Sequence, residues 1–131
     1  LSVMSQGYRG LLVWKKSMEI VTATYKLASC FPKEEMYGLT SQIKRAAVSI
    51  PSNIAEGQGR NSTKEFVYHL SVAYGSLMEL ETQIQIAVNL GFVDAKAAEP
   101  LFSMTGEVGR MINGLSRSIV PKTANDASSV S

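Results

Sequence analysis

The 131-residue sequence contains a single cysteine, Cys30, and a single histidine, His69. One cysteine excludes an intramolecular disulfide and a cysteine-based zinc cluster, and it fits a reducing compartment. One histidine excludes the paired Glu-x-x-His motifs of a di-iron bundle; His69 also follows Glu65 by four positions where that motif requires three. Excess charge of one sign is missing too. The 13 Lys and Arg residues stand against 11 Asp and Glu, and net +2 is too small a bias to demand nucleic acid or an acidic membrane, although it permits either. No apolar run approaches the roughly 18 residues of a membrane span, and a secretion signal is absent, so the expectation is a cytoplasmic protein with no membrane partner. Alternating apolar and polar runs rich in β-branched residues are likewise missing, which removes the case for strands.

What is present is apolar spacing of helical period almost throughout. The first helix is expected over about Leu11 to Cys30, with Trp14, Met18, Val21, Tyr25 and Ala28 as its buried stripe, and Phe31-Pro32 stops it. A second helix starts near Thr40, whose hydroxyl can cap it, and buries Leu39, Ile43, Ala46, Ile50 and Ile54. Pro51 lies inside and is expected to kink this helix without ending it. Gly57 and Gly59 are expected to terminate it in left-handed conformations. Ser62 and Glu65 form a capping-box signal for a long third helix, buried along Phe66, Leu70, Ala73, Leu77, Leu80, Ile84 and Ala87 and closed by Gly91. Asp94 can cap a fourth, with Leu101, Met104, Val108, Met111, Leu115 and Ile119 inward. Four amphipathic helices with short connectors predict an all-α, antiparallel up-down-up-down four-helix bundle over residues 11–120. Residues 1–10 read as a partly flexible N-terminal segment and residues 121–131, short and polar, as a flexible tail.

Three surfaces remain once the core is assigned. Gln42, Arg45, Ser49, Asn53 and Glu56 make a polar strip along the second helix. It reads as a solvated face, as a ligand site, or as a partly buried seam at a register or subunit contact in which Arg45 is answered by Glu56, Glu79 or Glu81. Apolar residues outside the stripes, Val67, Val72, Tyr74, Met78 and Ile86 on the third helix and Val13, Ile20 and Leu27 on the first, point to a homo-oligomer or to a third helix that is simply central in the bundle. Lys15, Lys16, Lys44, Arg45, Arg60 and Lys64 fall in the first half of the fold and offer nucleic-acid contacts near the turn between the second and third helices, or are dispersed solubilising charges. An enzyme is not expected. Gly57-Gln58-Gly59 lacks the third glycine and the strand of a dinucleotide fingerprint, and neither Cys30 nor Ser49 has a histidine at a suggestive position. No cofactor or metal is implied.

The run from Gly38 to Gly57, with Ser49-Ile50-Pro51-Ser52-Asn53-Ile54-Ala55-Glu56-Gly57 its most specific part, carries a family resemblance together with Trp14, Phe31-Pro32, Ser76 to Thr82 and Leu90-Gly91. The sequence resembles, over about residues 8–119, the bacterial four-helix-bundle proteins encoded in intervening sequences of 23S ribosomal RNA genes. Arg45, Ser49, Asn53, Glu56, Gly57, Arg60, Glu79 and Glu81 match positions characteristic of that family. The resemblance implies a ring-shaped homopentamer. It also implies kinship with the accessory variability protein of diversity-generating retroelements, a basic pentamer that binds nucleic acid and a reverse transcriptase. The function so implied is a non-enzymatic homopentamer that binds RNA or DNA, or else a structural adaptor for another protein.

Overall fold

The computed structural model describes residues 3–120, and all regular structure among them is helical. Residues 121–131, expected to form a flexible tail, lie outside the described residues. Four helices follow one another: α1 (Leu12–Ala28), α2 (Leu39–Gln58), α3 (Thr63–Asn89) and α4 (Ala95–Ile119). They pack in cyclic order, α1 on α2, α2 on α3, α3 on α4 and α4 back on α1, with the α2–α3 pair the most extensive. This is the expected up-down-up-down bundle. Short 3-10 segments at Val3–Gly10 and Lys33–Glu35 precede α1 and α2.

The core is held by β-branched and leucine side chains that lose all contact with water: Ile20, Ile43, Ile50, Ile54, Leu70, Leu77, Leu80, Ile84 and Ile112. Each contributes roughly 1.5–3 kcal/mol by burial. The stripes of α2 and α3 are those the spacing predicts, except that Leu39 and Phe66 at their starts are only half-buried. On α1 the stripe is rotated by about one position: Val13, Ser17, Ile20, Thr24 and Ala28 face inward, while Met18 and Tyr25 are exposed. Ser17 is tolerated there because its hydroxyl donates to the Trp14 carbonyl at 2.8 Å, so no polar hydrogen is stranded. Helix α4 shows the same substitution of small polar residues for large apolar ones. Thr105 and Gly109 are fully inside, and Met104 and Met111 only partly.

Helix starts differ from expectation in two places. The first turn of α2 is capped not by Thr40 but by Glu35, whose carboxylate accepts the Leu39 N–H at 3.1 Å. Asp94 occupies the position before α4 without a side-chain bond to it. At the start of α3, Ser62 accepts the Glu65 N–H at 3.2 Å, which is half of the expected capping box. Helix α2 continues through Pro51, which is itself buried. Gly91 has φ 78° and terminates α3 in the left-handed region that glycine tolerates best.

Gly57 serves a different purpose from the one its position suggests. It is helical, and a Cβ there would sit 2.6 Å from His69 Cβ and 3.1 Å from Phe66 Cδ1. The glycine therefore marks a close approach of α2 and α3 that a Cβ would obstruct, and its role is steric. Gly59 is also right-handed, at φ −74°.

Candidate functional site

The closeness of α2 and α3 at Gly57 brings their polar residues into one continuous line. Asn53 donates to the Ser49 carbonyl at 2.9 Å and to Ser49 Oγ at 3.0 Å. This fixes which end of its amide faces α3, because Nδ2 is committed to Ser49 and Oδ1 must turn to His69 Nδ1, 3.2 Å away. Ser49 Oγ also shares a hydrogen with Ser76 Oγ across the helix pair at 2.8 Å. On the other side His69 Nε2 lies 3.8 Å from Glu56 Oε2, and Arg60 bridges Glu56 at 2.8 Å and Glu65 at 3.5 Å. The line runs Ser76, Ser49, Asn53, His69, Glu56, Arg60, Glu65.

Its inner half, Ser49, Asn53, Ser76 and His69, is half-buried, and Glu56 and Arg60 are exposed. The Arg60 hydrogen bond, with a further contribution from His69 close by, holds the Glu56 carboxyl below its ordinary range, and Glu56 in turn raises Arg60. Chemically, the arrangement locks the register of α2 on α3. The two ring nitrogens of His69 face the Asn53 amide and the Glu56 carboxylate, while the two serine hydroxyls of the line face each other.

The strip read from the sequence is thus partly assembled. Ser49, Asn53 and Glu56 belong to the line. Gln42 and Arg45 stand on its outer flank, where with Ser76 and Glu79 they border a cleft of about 370 Å³. The expected answer to Arg45 does not form: among the described residues no carboxylate of Glu56, Glu79 or Glu81 comes within 4 Å of it. Glu56 is claimed by Arg60, and Glu81 turns to the opposite side of α3, where it accepts the hydroxyl of buried Thr105 on α4 at 2.7 Å. His69, Ser76 and Thr105 were missed because each is a cross-helix partner. The expected apolar surplus is smaller than the spacing suggests, since Val13 and Ile20 are core residues and Val67, Val72, Tyr74 and Met78 are half-buried.

The candidate nucleic-acid contacts do not gather into one patch. Lys15 and Lys64 are exposed toward the end of the bundle where α2 turns into α3, and Arg60 is at that turn with its charge answered twice. Lys16 pairs with Glu107 of α4 at 3.5 Å. Lys44 is toward the other end, its ammonium 4.8 Å from the centre of the Tyr25 ring. No group of three or more His, Cys, Asp or Glu suited to a metal ion occurs among the described residues, and no helix there is long and apolar enough to cross a membrane.

The family model described as "23S rRNA-intervening sequence protein" matches residues 9–114. A crystal structure from Bacteroides thetaiotaomicron VPI-5482, of a protein with unknown function from the S23 ribosomal protein family, superposes with a TM-score of 0.72 at 20% identity. The match covers 80% of this chain and 98% of that one, and at this identity it shows a shared fold. Among curated proteins none matches.

Proposed function

The chain belongs to the 23S rRNA-intervening sequence protein family, and from that premise we propose that it is a non-enzymatic scaffold that assembles with copies of itself into a pentameric ring. The observation that carries the reading is an apolar patch at one end of the bundle. The Ser49–Ser76 bond and the Gly57–His69 approach set the antiparallel register of α2 on α3, which brings the start of α2 level with the end of α3. Met36 and Tyr37, just before α2, and Ile86 and Leu90, at the end of α3, are all exposed there, Tyr37 to 93% and Leu90 to 60%. Beneath them the two connectors at that end are fastened by Phe31 against Phe92, ring centres 5.7 Å apart. A rigid end carrying large apolar side chains in water favours a covering surface.

Replacing Tyr37 and Leu90 together by serine tests this. Both side chains are exposed, so the helical fold stays intact by circular dichroism while the mass in solution falls toward one chain. An unchanged multimeric mass would remove this patch as the contact.

The opposite end supports a nucleic-acid partner. Arg9, Lys15 and Lys64 are exposed there and have no carboxylate within 4 Å among the described residues. A ring multiplies these few charges, and phosphate contacts made by such residues weaken steeply with salt. Structured RNA should bind at about 50 mM salt and be released by about 200 mM; absence of binding at the lower salt would leave the adaptor reading, with another protein such as a reverse transcriptase as partner.

A further inference from the structure

One face of α2 carries cations that the fold leaves unneutralised. Ser41, Lys44, Arg45 and Val48 recur at helical spacing, three, four and seven residues on from the first, and with Tyr25 of α1 and Ser49 they line an open cleft of about 500 Å³. Lys16 and Arg60 have carboxylates within 4 Å, whereas Lys44 and Arg45 have none among the described residues. The Lys44 ammonium is held over the Tyr25 ring, a contact that fixes the charge in place without cancelling it. The Arg45 guanidinium and the Ser41 hydroxyl have no hydrogen-bond partner in the described fold.

Acidic side chains are sparse around these cations, and Glu79, which borders a second cleft together with Arg45, forms no ion pair with it within 4 Å. Glu56 is the sole acidic residue of α2, and it follows Arg45 by 11 positions, about 16 Å along the axis at 1.5 Å per residue. Ser41 lies in the first turn of α2, which contains no acidic side chain and where the helix dipole is positive. The Glu35 carboxylate is turned to the Leu39 N–H. Glu79 borders the neighbouring cleft on the α3 side, and no acidic residue lines the one beside Tyr25.

We propose that the cleft between α1 and α2 binds a phosphate group. Arg45 presents its planar fork to two phosphate oxygens, Lys44 supplies a second, fixed positive charge, and the Ser41 hydroxyl donates to a further oxygen. Two positive charges and a hydroxyl converging on one cleft match the near-double negative charge and three or more oxygens of a phosphate better than the single charge and two oxygens of a carboxylate. The exposed Val48 side chain and the Tyr25 ring add an apolar wall. A phosphorylated small molecule and the backbone of a nucleic acid share this chemistry. The site is separate from the apolar end patch and from Arg9, Lys15 and Lys64, and it is complete within one chain.

The test is an amide NMR titration of the full chain with inorganic phosphate, ionic strength held constant with chloride. The expected result is saturable shifts confined to the cleft, from Ser41 to Val48. Arg45→Ala should weaken the affinity about tenfold or more, since hydrogen bonds to charged groups are worth roughly 1.5–3 kcal/mol, and Arg45→Lys should restore it only in part. Arg117→Ala, exposed in the last turn of α4, serves as the control and leaves it unchanged. Shifts that fail to saturate, or an Arg45→Ala titration identical to the unaltered chain, overturn the site. A short single-stranded oligonucleotide that displaces phosphate from the same amides identifies a nucleic-acid backbone as the source, and one that leaves phosphate bound identifies a small phosphorylated ligand. The mass of the Arg45→Ala variant separates this proposal from assembly, because the ring is expected to survive the loss of the phosphate site.

Discussion

Replacing Gly57 by alanine adds one methyl group where α2 and α3 meet. The new Cβ would lie 2.6 Å from His69 Cβ and 3.1 Å from Phe66 Cδ1, whereas carbon atoms pack at about 3.5–4.0 Å. The obstacle at 2.6 Å is a Cβ, fixed to its own backbone, so relief requires the helices to part by about 1 Å. Two effects oppose each other. Alanine favours the helical state over glycine by roughly 0.5–1 kcal/mol, while overpacking of a close contact costs about 1–3 kcal/mol. The parting also stretches the His69–Asn53 bond from 3.2 Å and the Ser49–Ser76 bond from 2.8 Å, each worth roughly 0.5–1.5 kcal/mol. Sterics win, and the variant should be less stable by about 1–3 kcal/mol in urea unfolding followed by circular dichroism. Gly75→Ala is the matched control: Gly75 is also inside a helix, and its Cβ would meet nothing within 4 Å. That variant should gain about 0.5–1 kcal/mol. If Gly57→Ala gains stability like Gly75→Ala, the close approach of α2 and α3 is refuted.

The remaining predictions concern single polar groups. Thr105→Val keeps the shape of the side chain but removes the hydroxyl that Glu81 accepts, and should lower stability by about 1–2 kcal/mol in the same unfolding assay; no loss would mean that water replaces the hydroxyl freely. Thr24→Val should be neutral or stabilising by up to about 1–3 kcal/mol, because Thr24 Oγ1 is buried without a partner among the described residues; a clear destabilisation would reveal a partner for it. Arg60→Met should raise the Glu56 pKa toward the ordinary 4.5, read from the carboxyl carbon in an NMR titration. The folded-state pKa of Glu56 is depressed, so its stabilising contribution is present above the unfolded value and is lost as pH falls through the folded one. In the Arg60→Met variant that acid-dependent loss should shrink, and an unchanged titration would show that Arg60 does not set it.

The parts of this fold that were legible in the sequence are those where one large apolar residue type dominates a face. The isoleucines of α2 and the leucines of α3 fixed those helices and their inward sides. On α1 the hydropathy pattern points about one position away from the packed face, because Trp14, Met18, Val21 and Tyr25 form the more apolar series while the core accepts Ser17 and Thr24. Hydropathy counts a hydroxyl as polar even where it bonds to its own helix, as Ser17 does to Trp14. The same blindness exchanged Thr105 for Met104 on α4. Gly57 was visible as a glycine, but whether it supplies a backbone angle or makes room for a neighbour depends on what sits opposite. At the polar line, Ser49 and Asn53 were legible because they are four residues apart on one helix. Their partners His69 and Ser76 were not, since the register of α3 against α2 is a tertiary fact with no local signal.

The proposed function makes this bundle one subunit of a ring. Its most direct test is the mass of the full chain in solution, by light scattering behind size exclusion at micromolar concentration. At 14.2 kDa per chain, five copies give 5 × 14.2 = 71.0 kDa, and a single peak at that mass is the predicted result. A peak at the mass of one chain, undiminished in sharpness as concentration rises, would contradict it.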